Sequence, residues 1–215
     1  MRRVTTVGLV VLLAALAAGM PDGDNRPWQD GSRHGPWTAV FNGYGEIRPD
    51  GDGLLLSPKA PAAAQNTHAA LVVTDRSYGD VAISVRLKTE RQLRRPNPRA
   101  WEVGWVLWHY AGEGRFYALA LKPAGWELSK QDPRYPGGQR FLASGRTPTF
   151  PVGSWHRIGI VQVGDQIDVA ADGRHLARYT DRSAPYRTGA LGLYTEDARV
   201  RFTDIQITPV PTTAE

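Results

Sequence analysis

The sequence predicts an all-β protein, a sandwich of two antiparallel sheets, on three observations. From Gly153 to Asp181, and again from Gly189 to Ile207, short apolar runs are separated by Gly-Asp, Asp-Gly and Gly turns with no helical period. Between Asp80 and Thr89, Val81, Ile83, Val85 and Leu87 alternate with Ala82, Ser84, Arg86 and Lys88, the pattern of a strand with one buried face. Turn signals recur about every 8 to 12 residues, the spacing of sandwiches and barrels.

In chain order, residues 1–19 read as a secretory signal peptide. Arg2 and Arg3 are followed by an apolar run from Val7 to Ala18 that contains the small-residue stretch Ala15-Leu16-Ala17. The run is too short to span a bilayer, so no transmembrane segment is predicted; a buried N-terminal helix is the alternative. Leu16-Ala17-Ala18-Gly19 matches a bacterial lipoprotein box, but position 20 is Met and offers no thiol to a lipid. The expectation is an exported, extracellular protein without a lipid anchor. Residues 20–36 read as a flexible lead, 37–208 as the β domain and 209–215 as a tail.

Within the domain, strands are predicted at Gly53–Ser57, His68–Thr74 and Asp80–Thr89, with Asp75–Gly79 as a turn. A meander follows, Trp101–Tyr110, Arg115–Lys122 and Trp126–Gln131, joined by short Gly-containing loops. Residues 132–151 show no clear strand signal.

Composition narrows the chemistry. With no cysteine, there is neither a disulfide nor a thiolate metal site, and stability rests on packing. The formal charge of +5, about +3 without Arg2 and Arg3, is too mild for a nucleic-acid binder. Arg91, Arg94, Arg95 and Arg99 crowd into one Pro-interrupted loop. That loop is either a solvated surface or a rim that attracts an anionic ligand, with Arg95 the candidate contact.

Several motifs carry a resemblance. They are Trp37 with Phe41-Asn42-Gly43-Tyr44-Gly45, Asp75 to Asp80, Gly153-Ser154-Trp155-His156-Arg157, Asp172-Gly173, Gly189 to Leu193, and Phe202-Thr203-Asp204-Ile205. In this order they resemble the concanavalin A-like lectin and glucanase jelly roll. The nearest likeness is to laminin-G-like and 3-keto-disaccharide hydrolase type domains, the loosely named glycoside hydrolase family 16-like group. The resemblance implies a jelly roll acting on carbohydrate and a structural Ca²⁺ held by Asp204 opposite Gly43–Glu46. A monomer without an organic cofactor is expected. A turn-capping role for Asp204 is the alternative. The Glu-x-Asp-x-x-Glu strand of true family 16 glucanases is absent, so their mechanism is not expected.

Strand parity locates a candidate groove. Trp101, Val103, Trp105 and Leu107 are uniformly apolar and are assigned to the core, which sends Glu102, Trp108 and Tyr110 to the other face. On the next strand Tyr117, Leu119 and Leu121 go inward, leaving Phe116, Ala118, Ala120 and Lys122 on the groove, given an irregularity at Glu113-Gly114-Arg115. On the third, Leu128 goes inward, and Glu127, Ser129 and Gln131 face the groove.

Glu102 and Glu127 then lie two strands apart, about 10 Å, with Lys122 between. Three roles stay open for them: a catalytic acid and base, hydrogen bonding to sugar hydroxyls, or an ion-pair ladder with Lys122. Trp108, Tyr110 and Trp126 are candidate sugar-stacking rings, with Ser129 and Gln131 as polar partners. His109 and His68 are either proton carriers or structural residues. The expected function is glycoside hydrolysis in a concave groove; a non-catalytic glycan-binding module and a lyase of uronic-acid glycans are the alternatives.

Overall fold

The computed structural model describes residues 26–112 and 114–211. The signal-peptide and lipobox readings, including Met20, lie outside the described residues. The elements are β1 (Arg33–His34), β2 (Trp37–Phe41), β3 (Glu46–Asp50), β4 (Gly53–Ser57), β5 (Ala69–Tyr78), β6 (Val81–Gln92), β7 (Gly104–Tyr110) and β8 (Phe116–Lys122). They continue with β9 (Gly125–Gln131), β10 (Gln139–Gly145), β11 (His156–Val163), β12 (Gln166–Ala171), β13 (Arg174–Thr180), β14 (Gly189–Glu196) and β15 (Ala198–Pro209). A short 3₁₀ turn spans Pro136–Gly138.

The strands form two antiparallel sheets, as the jelly-roll expectation requires. One has eight strands in the order β1-β2-β5-β14-β7-β8-β9-β10; the other has seven, β13-β12-β11-β6-β15-β4-β3. Neighbours distant in sequence, such as β5 beside β14 and β6 between β11 and β15, show that the chain crosses repeatedly between the sheets.

The core lies between the two layers. The alternating set Val81, Ile83, Val85 and Leu87 faces inward as the pattern demands and meets Ile158, Ile160, Val200 and Phe202 of its own sheet. Val106, Trp108, Tyr117, Leu119, Trp126, Leu128, Leu191 and Leu193 close it from the eight-stranded sheet. Burial of these rings and aliphatic chains supplies the main folding term, about 25 cal/mol per Å² of apolar surface removed from water.

Three boundaries differ from expectation. The lead segment carries structure in its described part: Trp28 is buried, its amide donates to the Ile47 carbonyl at 2.8 Å, and β1 pairs with β2. β5 runs on through Asp75 to Tyr78, where a turn was expected, because β14 pairs with it to its end. Strand β10, Gln139–Gly145, was invisible because half of it faces solvent and its apolar residues Phe141 and Leu142 do not alternate.

The outer face of the seven-stranded sheet is sheathed in ion pairs. Arg199 bridges Glu46 and Glu90 at 2.7 and 2.9 Å, and Arg201 bridges Glu90 and Asp50 at 2.6 and 2.7 Å. Beneath them Leu55, paired across strands with Arg48 and Arg201, is fully covered.

Candidate functional site

A cavity of about 650 Å³ lies on the outer face of the eight-stranded sheet. Its floor is a second apolar layer, separate from the sandwich core: Leu71, Trp105, Leu107, Ala118 and Ala120. Phe41, Tyr110, Phe116 and Tyr194 pack onto that floor, and Trp101 and Phe141 stand exposed at the rim. Glu127, Gln131, Gln139 and Glu196 supply the polar lining.

Register orders these side chains into rows across the sheet. One row runs Phe41, Leu71, Tyr194, Trp105, Ala120, Glu127, each directly opposite the next. The next runs Gly192, Leu107, Ala118, Ser129, Phe141. Gly192 leaves room there: a Cβ would stand 3.1 Å from Leu107 Cβ, close enough to press on that side chain. At the far end Phe116 lies opposite Gln131, which lies opposite Gln139, while Tyr110 and Phe116 meet with ring centroids 5.9 Å apart.

The parity assigned to β7 is inverted. Trp105 and Leu107 face the groove, and Val106 and Trp108 face the core. Trp108 is 1% exposed and its Nε1 donates to Gln162 Oε1 at 2.7 Å, so it is no stacking platform. Tyr110 does reach the groove, because His109 adopts φ 50° and shifts the phase of the strand by one residue. The irregularity that brings Tyr110 to the groove therefore sits at His109, within β7. β8 and β9 follow the expected parity for Phe116, Ala118, Ala120, Glu127 and Gln131.

Other assignments are also relocated. Glu102 precedes β7 and is 1% exposed; both Glu102 and Asp197 bind the buried Arg94 guanidinium, the latter at 2.5 Å. Glu102 is thus withdrawn from Glu127, whose carboxylate pairs with Lys122. Trp126 turns inward and donates to the Thr147 carbonyl at 3.1 Å. Ser129 lies on the groove side but is covered. The arginine loop is divided: Arg94 is an internal anchor that also donates to the Ala64 and Asn66 carbonyls at 2.9 Å, while Arg95 is exposed.

His109 is buried beneath the groove, with Nδ1 2.8 Å from the Tyr186 carbonyl oxygen and Nε2 2.9 Å from that of Gly79. Burial pushes its pKa down, and the two carbonyls pull it partly back. Both nitrogens face backbone carbonyl oxygens, to one of which a neutral ring donates, so neither is turned to a ligand. His68 Nδ1 contacts the Lys59 carbonyl at 2.8 Å, beside the exposed Tyr44 ring. Burial raises the Tyr110 hydroxyl, and burial with the neighbouring Glu196 carboxylate raises that of Tyr194, which donates to Glu196 Oε1 at 2.6 Å. Both phenols are hydrogen-bond donors at neutral pH.

The carboxylate expected to hold calcium already has a partner: Asp204 pairs with Arg157 at 2.8 Å, so a guanidinium neutralises the charged ligand that a cation would need beside the Gly43–Glu46 carbonyls. Among the described residues, no group of three His, Asp or Glu side chains is gathered as a metal site.

Sequence reasoning missed Tyr194 and Glu196. The signal was present: Leu191, Leu193 and Thr195 alternate with Gly192, Tyr194 and Glu196, and only the first set is buried in the sandwich. Phe41 and Leu71 lie on strands distant in sequence, and only the sheet order brings them to the groove, while Gln139 and Phe141 lie on β10, which shows no clear strand signal in the sequence.

Comparison with known proteins agrees with this architecture. Residues 24–208 match the family model of the 3-keto-alpha-glucoside-1,2-lyase-like domain. The carbohydrate-binding module CBM66 from Bacillus subtilis superposes with a TM-score of 0.63 at 14% identity, covering 80% of this chain and 94% of that one. A putative glycosyl hydrolase from Parabacteroides distasonis gives 0.55 at 13% identity, covering 84% and 91%. The exoplasmic/lumenal domain of VIP36, in its Ca²⁺/Man3GlcNAc-bound form, gives 0.60 at 10%, covering 84% and 86%. At these identities the likeness is one of fold. No curated protein matches the sequence.

Proposed function

Because the chain belongs to the 3-keto-alpha-glucoside-1,2-lyase-like domain family, we propose that it seats a saccharide in the groove on the outer face of its eight-stranded sheet. One observation carries this reading: an apolar floor with aromatic walls, edged by a few polar side chains, in a cavity of about 650 Å³. Sugar rings present apolar C–H faces and polar rims, and such a lining matches both. Tyr194, Trp105 and Tyr110 are the proposed ring contacts, with Glu127, Gln131 and Gln139 bonding hydroxyls. Export by residues 1–19 would place the domain where extracellular glycans are found.

A second reading, cleavage by elimination, is favoured by the family match and by the Glu127–Lys122 pair. In a 3-keto glucoside the C2 proton is acidified by the adjacent carbonyl. A base removes it, the C1–C2 double bond forms, and the C1–O bond breaks as the departing oxygen takes a proton. This needs one base and one donor, unlike hydrolysis by two facing carboxylates. Glu127 is the proposed base, and Lys122, held against it, the proton source. Glu196, the other carboxylate on the groove, stands three strands away, about 14 Å or more across the sheet.

The test is calorimetric titration with neutral oligosaccharides, with reducing ends and unsaturated products read in parallel on natural and 3-keto substrates. Binding without product supports a binding module. Unsaturated product that disappears in Glu127→Gln supports elimination. Absence of binding across the panel overturns the assignment of the groove.

A further inference from the structure

The groove has two chemically different ends, and they lie on the same strand. At one end of β9, Glu127 pairs with Lys122 and stands in the row of Trp105 and Tyr194. At the other end, Gln131 faces Gln139 across the β9–β10 ladder, next to the Tyr110 and Phe116 rings. Glu127 and Gln131 are four residues apart, which in an extended strand is about 14 Å. Between them Ser129 is covered, and Leu107 and Ala118 form a smooth aliphatic floor.

The amide end is equipped for recognition. Among the described residues neither the Gln131 nor the Gln139 side-chain amide is engaged by a protein partner, although the Gln131 backbone carbonyl accepts from Tyr186. Each amide offers two donors and an acceptor, which suits vicinal hydroxyls. Tyr110 lines the same cavity, and the raised pKa of its hydroxyl keeps it a donor.

The charge balance restricts the ligand. The described residues lining the groove include two glutamates and neither arginine nor lysine. Of the cations near it in sequence, Lys122 pairs with Glu127, Lys130 with Asp181 and Arg94 with Glu102 and Asp197, while Arg115 and Arg140 are exposed and do not line the cavity. A row of carboxylates on the ligand would meet the Glu127 and Glu196 carboxylates with no guanidinium among the described lining residues.

Resting on the proposed saccharide site, we infer that the groove holds an uncharged oligosaccharide longer than a single pyranose ring. One sugar stacks at the Trp105–Tyr194 end, and another is bonded by Gln131 and Gln139 at the Tyr110–Phe116 end.

The experiment is calorimetry of the full chain against neutral gluco-, xylo-, manno- and galacto-oligosaccharides, from monosaccharide to hexasaccharide, with oligogalacturonates of equal length beside them. Affinity for the recognised sugar should rise at least about tenfold from monosaccharide to the longer chains. Gln131→Ala and Gln139→Ala should remove most of that rise, so that the longest chain binds the variants little better than a monosaccharide does. Both side chains project from the sheet surface, and circular dichroism checks the fold of each variant. Equal affinity at all lengths, wild-type affinity of both variants for the longest chain, or tighter binding of the uronate overturns this inference while leaving the saccharide site standing. Absence of binding by every sugar removes the saccharide site and this inference with it.

Discussion

Trp105 stands directly opposite Ala120 in the β7–β8 ladder, and both belong to the apolar layer on the outside of the sheet, apart from the sandwich core. A large ring beside a methyl group leaves open space above the neighbouring strand. That pairing, repeated one row on by Leu107 and Ala118, hollows the groove.

Trp105→Ala should lower saccharide affinity about tenfold or more, equal to about 1.4 kcal/mol. The ring meets Tyr194 edge-on at 5.9 Å, and its Nε1 donates to the Trp101 carbonyl at 2.9 Å, so the variant also loosens the rim. Trp105→Phe keeps a ring and should retain most of the affinity. Titration of both variants at matched folded fraction separates loss of the ring from loss of the fold.

Trp108→Phe should behave in the opposite way. It leaves the buried Gln162 Oε1 without its donor and should cost about 1–3 kcal/mol of stability. Because Trp108 faces the core, saccharide affinity should be unchanged. Urea unfolding paired with titration checks both halves, and loss of affinity at full folding would place this ring in the groove after all.

Arg94→Met should destabilise by about 3–5 kcal/mol, because Glu102 and Asp197 are left as buried charges without a partner. Arg94 also ties the 63–66 segment to the loop that carries Trp101. A double substitution, Arg94→Met with Glu102→Gln, should recover part of the loss. Thermal melts of the single and double variants measure the coupling.

Acid should weaken the fold in two stages. Burial lowers the folded-state value of His109 more than its two carbonyl contacts raise it, so the unfolded chain takes up a proton first and stability falls as pH drops below the unfolded histidine value of about 6.5. Asp181 follows. Burial pushes its carboxyl up, but hydrogen bonds from Lys130, Tyr117 and the Ser183 amide outweigh burial and hold it below the ordinary value. Its contribution is complete above the unfolded value of about 3.9 and is lost as pH falls through the depressed folded value. Urea midpoints from pH 8 to about pH 3 should show both declines. His109→Asn, which tolerates the positive φ, should flatten the first.

Local patterning made much of the architecture legible. The β6 alternation, the turn glycines and the β8 and β9 periods placed those strands and assigned Glu127, Gln131 and Phe116 to the face they occupy. β7 misled because Trp105, Val106, Leu107 and Trp108 are all apolar. Both faces of that strand are covered, so alternation carries no information there. The Glu102–Glu127 pair failed for a related reason. A run beginning at Trp101 looked like continuous strand, whereas β7 starts at Gly104, where the amide donates to Thr89 Oγ1 at 3.1 Å and Glu102 bends back to Arg94.

The sequence by itself determined an all-β sandwich, its turns and the identity of most core side chains, because period-two burial and turn chemistry are local properties. Only the tertiary structure decided which face of β7 is the groove, that β14 and β5 lie beside it, and that Tyr194 and Glu196 belong to the site. The physical reason is register: strands far apart in the chain meet by pairing backbone to backbone. Each pairing carries a whole alternating set of side chains to one face or the other, and a one-residue phase shift such as that at His109 reassigns them.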